Sequence, residues 1–173
     1  MNVLSHPSPA LKQKAAPVDP ASEPDLRDLC RQMAKAMYDA PGVGLAAPQI
    51  GVLKRVIVYD LDEGKSGAVA LCNPEILEAS DETAVDDEGC LSLPGITIPI
   101  ERAVAVVCEA DTLAGKRVRI EADGFHARLL QHEIDHLDGV LMIDRATPEE
   151  RKAALQRYRE ACEAGAKPGQ TSI

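Results

Sequence analysis

Two histidines with a glutamate between them form the pattern in this chain that most directly indicates chemistry: His132, Glu133 and His136. On a helix, four residues advance slightly more than one turn, so both imidazoles would emerge on one face and could bind the same metal ion. Glu133 follows the first histidine and could reach a metal-bound water without being a ligand itself. The spacing therefore predicts a metal site, although histidine pairs on helices also occur as hydrogen-bonded core residues.

The residues around this pattern predict the helix that the site requires. A helical stretch runs from about 124 to 137 and stops at Asp138-Gly139, where glycine can adopt the left-handed conformation of a C-terminal cap. Its apolar residues would bury the helix around the histidines: Leu129, Leu130, Ile134 and Leu137.

The third protein ligand that a catalytic metal requires is less evident. No histidine follows His136, and Glu149 and Glu150 stand in a Thr-Pro-Glu-Glu sequence that is typical of a helix start. Cys90 is the better candidate, because it follows a glycine that allows close backbone approach and because a thiolate binds zinc or ferrous iron strongly. From the residues alone, a buried structural thiol is an equal alternative for Cys90.

Composition and charge exclude several classes of protein. The chain has 173 residues, 45% of them hydrophobic, with no Trp and one Phe, so we expect an aliphatic core. Its net charge of −9 argues against nucleic-acid or anionic-membrane binding, since phosphate contacts need a basic face. The first residues do not show the charged-then-apolar pattern of a signal peptide, so we expect none, and no run of about 18 apolar residues could span a bilayer. The five scattered cysteines indicate a reducing compartment. We therefore expect a cytoplasmic enzyme.

The remaining sequence predicts short strands and two further helices. An apolar stripe predicts an N-terminal helix that starts near Pro24-Asp25 and ends before Pro41-Gly42, and Thr147-Pro148 opens a C-terminal helix. Residues 42–49 are too rich in Gly and Pro for regular structure. A strand is predicted at 55–61, a partner strand is predicted to begin at 69–72, and a hairpin is predicted at 103–110 and 116–122.

These elements predict one α+β domain over residues 1–173. Short antiparallel sheets would pack around the central helix that carries His132 and His136, with an N-terminal and a C-terminal helix beside them. No linker, internal repeat or low-complexity tract divides the chain. Residues 166–173 are expected to form a frayed tail.

Three segments, in this order and spacing, resemble the peptide deformylase family. They are residues 42–49 (GVGLAAPQ), 88–92 (EGCLS) and 131–139 (QHEIDHLDG), and no fixed position of the three motifs is altered. Each motif alone is weak to moderate, whereas the ordered triple is specific, and the similarity extends over nearly the whole chain. The resemblance implies a hydrolase that removes the N-formyl group from the N-formylmethionine of newly made polypeptides and releases formate.

The metal site is the first feature to which the resemblance assigns residues. It implies that Cys90, His132 and His136 bind one divalent metal per chain. The family's native metal is typically ferrous iron, with nickel, cobalt or zinc as substitutes. The ligand set alone would have suggested zinc, so iron is implied by the resemblance only.

Glu133, Gln49 and Leu91 receive catalytic roles from the same resemblance. Glu133 would be the general acid and base that passes a proton to the leaving amine. The side chain of Gln49 and the backbone N–H of Leu91 would stabilise the negative charge that develops on the formyl oxygen. From the residues alone, Gln49 is equally well explained as a loop residue whose amide is satisfied by backbone.

The substrate-binding residues are predicted less directly. The glycines on either side of Val43 would let a peptide lie alongside this segment as an added strand. Leu129 and Phe125 lie about one and two turns before His132 on the predicted helix, where core packing would explain them equally well. The substrate-binding candidates are Val43, Gly44, Gly89, Phe125 and Leu129.

The implied substrates are formylmethionyl nascent polypeptides, met near the ribosome exit in a bacterial cytoplasm by a monomeric enzyme. Three other readings compete with this one. The first is a metallopeptidase of the zincin type, and the second is a thiol hydrolase with Cys90 as nucleophile and His132 as base, which metal chelation would spare. The third is a non-catalytic relative with a structural metal, although such a site would need neither Glu133 nor Gln49.

Overall fold

Helices and antiparallel strands make up most of the chain in a computed structural model that describes residues 2–168. The predicted frayed tail, 166–173, lies largely outside the described residues. The strands are β1 (Gly44–Ala46), β2 (Val56–Tyr59), β3 (Val69–Ala79), β4 (Thr83–Gly89), β5 (Thr97–Ala103), β6 (Ala105–Asp111) and β7 (Arg117–Asp123). The helices are α1 (Leu26–Asp39), α2 (Gly124–Leu137), α3 (Met142–Arg145) and α4 (Pro148–Glu163), with 3-10 turns at Pro9–Lys12 and Ala47–Ile50.

Two antiparallel sheets pack against the central helix α2. The larger has the strand order β1-β2-β3-β6-β7, and β4 pairs with β5 in a separate hairpin. Leu130 and Leu137 of α2 join Ile57 and Leu71 of the larger sheet in a buried aliphatic cluster. On the other side, the Gln131 side chain donates to a backbone carbonyl of β5. The predicted α+β class, with short antiparallel sheets around the central helix, is confirmed.

The predicted N-terminal and C-terminal helices are also confirmed. α1 buries Met33 and Met37 in a cluster with Val58 of β2. α4 buries Tyr158 in a third cluster that includes Ile98 of β5. Among residues 2–168, none of the helices combines the length and the apolar content that a membrane crossing requires.

Some of the strand predictions are wrong. Residues 42–49 are not wholly irregular, because Leu45 pairs with Val58 and a short edge strand tolerates the glycine beside it. β3 begins at Val69 as predicted and continues to Ala79, and the helix α3 was not predicted. The hairpin of β4 and β5 was missed because most of β4 is exposed and three of its residues are acidic, which leaves no apolar run to indicate a strand.

The predicted end of the central helix is confirmed at Gly139. This residue has a φ of 74°, in the left-handed region that favours glycine. A Cβ atom there would also lie 2.7 Å from the backbone carbonyl oxygen of Lys12. Both the backbone conformation and the close approach of the N-terminal segment therefore require glycine at the end of α2.

A buried ion network ties the β4–β5 hairpin to α2. Glu88, near the end of β4, is fully buried and accepts hydrogen bonds from Arg102 of β5 (Nε, 2.8 Å) and Arg128 of α2 (Nη1, 2.8 Å). Arg102 also donates to Asp135 of α2 at 2.6 Å, and Asp135 accepts a further hydrogen bond from Arg145 of α3. Because a buried carboxylate is costly unless its charge is paired, these contacts fix the hairpin on the helix.

We expect Arg128→Met to lower the free energy of unfolding by about 3 kcal/mol, because it leaves buried Glu88 with one arginine. The variant also removes the donor for two backbone carbonyl groups of the hairpin. Arg145→Met is the matched control, since its side chain is 49% exposed and contacts Asp135, and we expect a loss of about 1 kcal/mol or less. Urea unfolding of metal-free protein measures both losses, and equal losses would contradict the role given to Arg128.

Candidate metal centre

The thiol of Cys90 and two histidine rings converge between the hairpin and α2. Cys90 directly follows β4, and His132 and His136 lie about one turn apart on α2. Nε2 of His136 lies 3.2 Å from Nε2 of His132 and 3.4 Å from Sγ of Cys90. All three side chains are buried, and their ligand atoms lie within 4.8 Å of one another. The chain therefore brings together the three residues predicted as ligands.

These separations fit a divalent cation. Ligands that bind at about 2.0–2.3 Å in tetrahedral geometry lie about 3.3–3.6 Å from one another. Among residues 2–168, the candidate ligands in this cluster are Cys90, His132 and His136. Three protein ligands with one open position are typical of catalytic metal sites. One thiolate with two imidazoles matches the ligand preferences of zinc and ferrous iron.

Glu88 orients the first histidine. Its Oε1 contacts Nδ1 of His132 at 2.8 Å, which leaves Nε2 of that ring directed toward Cys90 and His136. Burial opposes ionisation of Glu88, but hydrogen bonds from His132 and Arg102 outweigh it and hold the pKa of this carboxyl well below its usual range. A carboxylate behind a metal-binding histidine fixes both the tautomer and the orientation of the ring.

The two histidines differ electrostatically in the metal-free protein. Burial lowers the pKa of His132, but its hydrogen bonds with Cys90 and Glu88 have the larger effect and raise it. Burial and the charge of His132 lower the pKa of His136 well below its ordinary value. A proton and a metal ion compete for the same imidazole nitrogen, so metal binding would displace the proton from His132.

Glu133 lies beside the ligands in a setting made by a glycine. It is buried, and this burial raises its pKa to about 7 against the opposing charge of His132. Its Oε2 has no hydrogen-bond partner among the described residues. Gly44 of β1 lies against it, and a Cβ atom at that position would fall on the Glu133 carboxylate. The absence of a side chain at Gly44 thus makes room for a carboxyl group that has a free oxygen.

The amide of Gln49 faces the same centre from the 3-10 turn after β1. Its Oε1 accepts a hydrogen bond from the backbone N–H of Ala46 at 2.8 Å. Its Nε2 donates to Oγ of Ser92 at 3.2 Å and points toward Sγ of Cys90 at 3.7 Å. Leu91 lies between Cys90 and Ser92 and is also buried. Gln49 is therefore held by defined partners, rather than being a loop amide satisfied by backbone alone.

A cavity of about 10 Å³ lies at the centre of this cluster, close to the space that one water molecule needs. Larger hollows, of about 550 and 600 Å³, lie on the surface along β6 and β7 and beside α1. The small cavity is the candidate site despite its size, because its wall includes candidate metal ligands and Glu133. Its lining is Gly42, Val43, Gly44, Gln49, Gly89, Cys90, Leu91, His132 and Glu133.

Two of the five substrate-binding candidates lie away from this cavity. Val43, Gly44 and Gly89 line it, but Leu129 is fully buried in the cluster between α2 and the larger sheet. Phe125 is 47% exposed and lines a separate cavity of about 150 Å³ with Arg128. Substrate contact remains a prediction for all five residues.

Sequence reasoning missed the residues that support the centre from behind. Glu88 lies within one of the three motifs, two residues before Cys90, and this position was the only available signal for it. Arg102 and Arg128 reach Glu88 from other elements. Ser92 contacts Gln49 across 43 residues of sequence. Contacts between residues so far apart leave no local pattern.

The polypeptide deformylase family model matches residues 1–152 of this chain. The peptide deformylase of Acidothermus cellulolyticus is 49% identical over 91% of this chain and 84% of its own length. That of Thermodesulfovibrio yellowstonii is 42% identical over 92% of this chain and 96% of its own length.

Solved structures give the same result. The crystal structure of a peptide deformylase from Legionella pneumophila matches with a TM-score of 0.88 and 38% identity, over 94% of this chain and 95% of that one. The structure of the enzyme from Thermotoga maritima matches with a TM-score of 0.78 and 42% identity, over 84% of this chain and 97% of that one. By sequence and by fold, this chain belongs to the polypeptide deformylase family.

Proposed function

We propose that this chain is a metal-dependent hydrolase that removes the N-formyl group from formylmethionyl polypeptides through the centre formed by Cys90, His132 and His136. The observation that carries the proposal is the convergence of these ligand atoms with the Glu133 carboxyl and the Gln49 amide around one small buried cavity. A structural metal site would need neither of the last two groups. A zincin peptidase would take its third ligand downstream of His136 rather than from Cys90.

Cys90, His132 and His136 would hold the metal, and the proposed native ion is ferrous iron, with zinc, nickel or cobalt as substitutes. When bound, a divalent cation acts as a Lewis acid that makes water nucleophilic near neutral pH and polarises a carbonyl oxygen. The thiolate and imidazole ligands suit iron and zinc alike, so the preference for iron rests on family resemblance. Metal analysis of protein purified anaerobically from cells identifies the ion.

Glu133 would move the proton in the reaction. Its buried carboxyl accepts a proton as water attacks the formyl carbon, and then donates it to the amine nitrogen as the carbon–nitrogen bond breaks. The products are formate and a free amino terminus. A pKa raised to about 7 by burial supports both halves of this role, because neither the acid nor the base form is strongly disfavoured near neutral pH.

Gln49 and Leu91 would stabilise the negative charge that develops on the formyl oxygen. One N–H of the Gln49 amide is directed toward Cys90 and thus toward the cavity. The backbone N–H of Leu91 is the second proposed donor. Loss of one such donor typically lowers the rate by about 10²–10³-fold.

The peptide would bind along β1 as an added strand. β1 is an edge strand that, among residues 2–168, has β2 as its one pairing partner, and its residue Gly44 lies at the cavity. An exposed strand edge offers backbone hydrogen bonds to an extended peptide. Val43 and Gly89, which also line the cavity, would contact the first residue. The proposed setting is a monomer that acts on nascent chains near the ribosome exit in a bacterial cytoplasm.

Replacing Glu133 by glutamine tests the proton-transfer role. Glu133→Gln keeps the shape but cannot accept a proton, so we expect formate release from formyl-Met-Ala-Ser to fall by about 10²–10⁴-fold while about one metal per chain stays bound. Glu101→Gln, at an exposed carboxylate of β5, is the control and should leave the rate unchanged. A Glu133→Gln protein with near-normal activity would refute this role.

Gly44→Ala should disable catalysis without removing the metal. The added Cβ would displace the Glu133 carboxylate, so we expect a large loss of formate release with metal content unchanged. Gly115→Ala is the control, because its Cβ would enter open space and costs only backbone strain of about 1–2 kcal/mol. Equal activities of the two variants would contradict the packing of Gly44 on Glu133.

Chelation and alkylation separate a metallohydrolase from a thiol hydrolase. Removing the metal should abolish formate release, and adding it back should restore activity. Bound metal should also protect Cys90 from iodoacetamide, because a coordinated thiolate is a poorer nucleophile. Full activity of a metal-free protein, lost on alkylation of Cys90, would instead support the thiol hydrolase.

A further inference from the structure

We infer that Ser92 is a positioning residue that fixes the plane of the Gln49 amide, so that one of its N–H groups is directed at the reacting formyl oxygen. The inference rests on the proposed function, since it concerns the orientation of a proposed oxyanion donor. It assigns Ser92 no contact with the substrate or the metal. Ser92 would act only through Gln49.

The contacts of the Gln49 amide account for each of its polar groups. Oε1 accepts from the Ala46 N–H at 2.8 Å, which identifies the oxygen of the amide. One N–H donates to Oγ of Ser92 at 3.2 Å, and the nitrogen lies 3.7 Å from Sγ of Cys90. An amide nitrogen carries two N–H groups. Once Ser92 has accepted one of them, the other is left for the cavity.

Both anchors are needed to define the plane of the amide. The terminal torsion of glutamine is broad, so a single hydrogen bond at Oε1 would allow the NH₂ group to swing. A second hydrogen bond, at Nε2, removes that freedom. Gln49 is 1% exposed and Ser92 is 0% exposed, so water does not compete for either contact. A flipped amide would also place its NH₂ group against the Ala46 N–H, which is unfavourable because both groups are donors.

The backbone holds Ser92 and Gln49 in register with each other. The N-terminal segment runs between them: the N–H of Leu4 donates to the Gln49 carbonyl oxygen at 2.7 Å, and the N–H of His6 donates to the Ser92 carbonyl oxygen at 2.9 Å. Ser92 also lies two residues after Cys90. The segment that supplies a metal ligand thus also supplies the anchor for the proposed oxyanion donor.

Steady-state kinetics of Ser92→Ala, in the wild-type and Gln49→Ala backgrounds, test the inference. We expect kcat for formate release to fall about tenfold with KM unchanged, because a misdirected donor weakens an interaction made in the transition state. In the Gln49→Ala background, the same substitution should cost nothing further. Ser80→Ala is the control, since it also removes a hydrogen-bonded serine hydroxyl, but one at the β3–β4 turn whose two partners are backbone groups. Equal losses in the two backgrounds would overturn the inference.

A measurement without turnover separates this inference from the proposed function. In ¹⁵N-labelled, zinc-loaded protein, the side-chain NH₂ signals of Gln49 can be assigned by their absence from Gln49→Glu. Ser92→Ala should shift and broaden these signals, whereas Ser80→Ala should leave them in place. Unchanged signals in Ser92→Ala would overturn the inference even if formate is released. Shifted signals in a protein that releases no formate would support the positioning and reject the proposed function.

Discussion

The Glu88 carboxylate is the interaction on which the rest of this centre depends. It is fully buried, and it joins three elements by accepting from Arg102 of β5, Arg128 of α2 and Nδ1 of His132. Because an unpaired buried charge is so costly, the hairpin cannot separate from the helix without losing several contacts at once. The same contacts determine the position of Cys90, which directly follows β4. The attachment of the hairpin to α2 and the geometry of the candidate metal ligands therefore both depend on the Glu88 carboxylate.

Gly42 and Gly44 contribute to the centre because they have no side chains. At Gly44, a side chain would occupy the position of the Glu133 carboxylate, and at Gly42 a Cβ atom would lie 2.6 Å from Cδ1 of Leu91. Each of the two contacts joins the segment around β1 to one of the other two motifs. The three motifs, widely separated in sequence, thus form one packed unit. A small cavity remains at its centre, and Gly42 and Gly44 in its lining have no side chains that could fill it.

Local periodicity explains what the sequence could predict. The central helix, its end at Gly139 and the paired histidines all follow from residues within a few turns of one another, and the structure has them as expected. The role of Cys90 came from resemblance, since nothing near it in sequence distinguishes a ligand from a buried thiol. The β4–β5 hairpin was missed because its strands pair with each other and β4 exposes acidic side chains. Helical spacing predicted which face of α2 carries Phe125, but it could not predict which cavity this face adjoins.

Two carboxyl groups in this centre are buried alike but are placed in opposite electrostatic settings. Glu88 accepts from two arginines and a histidine, and these contacts keep it ionised despite burial. In the described part of the chain, no hydrogen-bond partner reaches Oε2 of Glu133, so burial prevails and raises its pKa to about 7. A carboxylate that stays charged is suited to orient a ligand, and one that titrates near neutrality is suited to carry a proton. Arg102 and Arg128 therefore determine which carboxyl group has which role, because both donate to Glu88 and their other hydrogen bonds go to Asp135 and to backbone carbonyl groups of the hairpin.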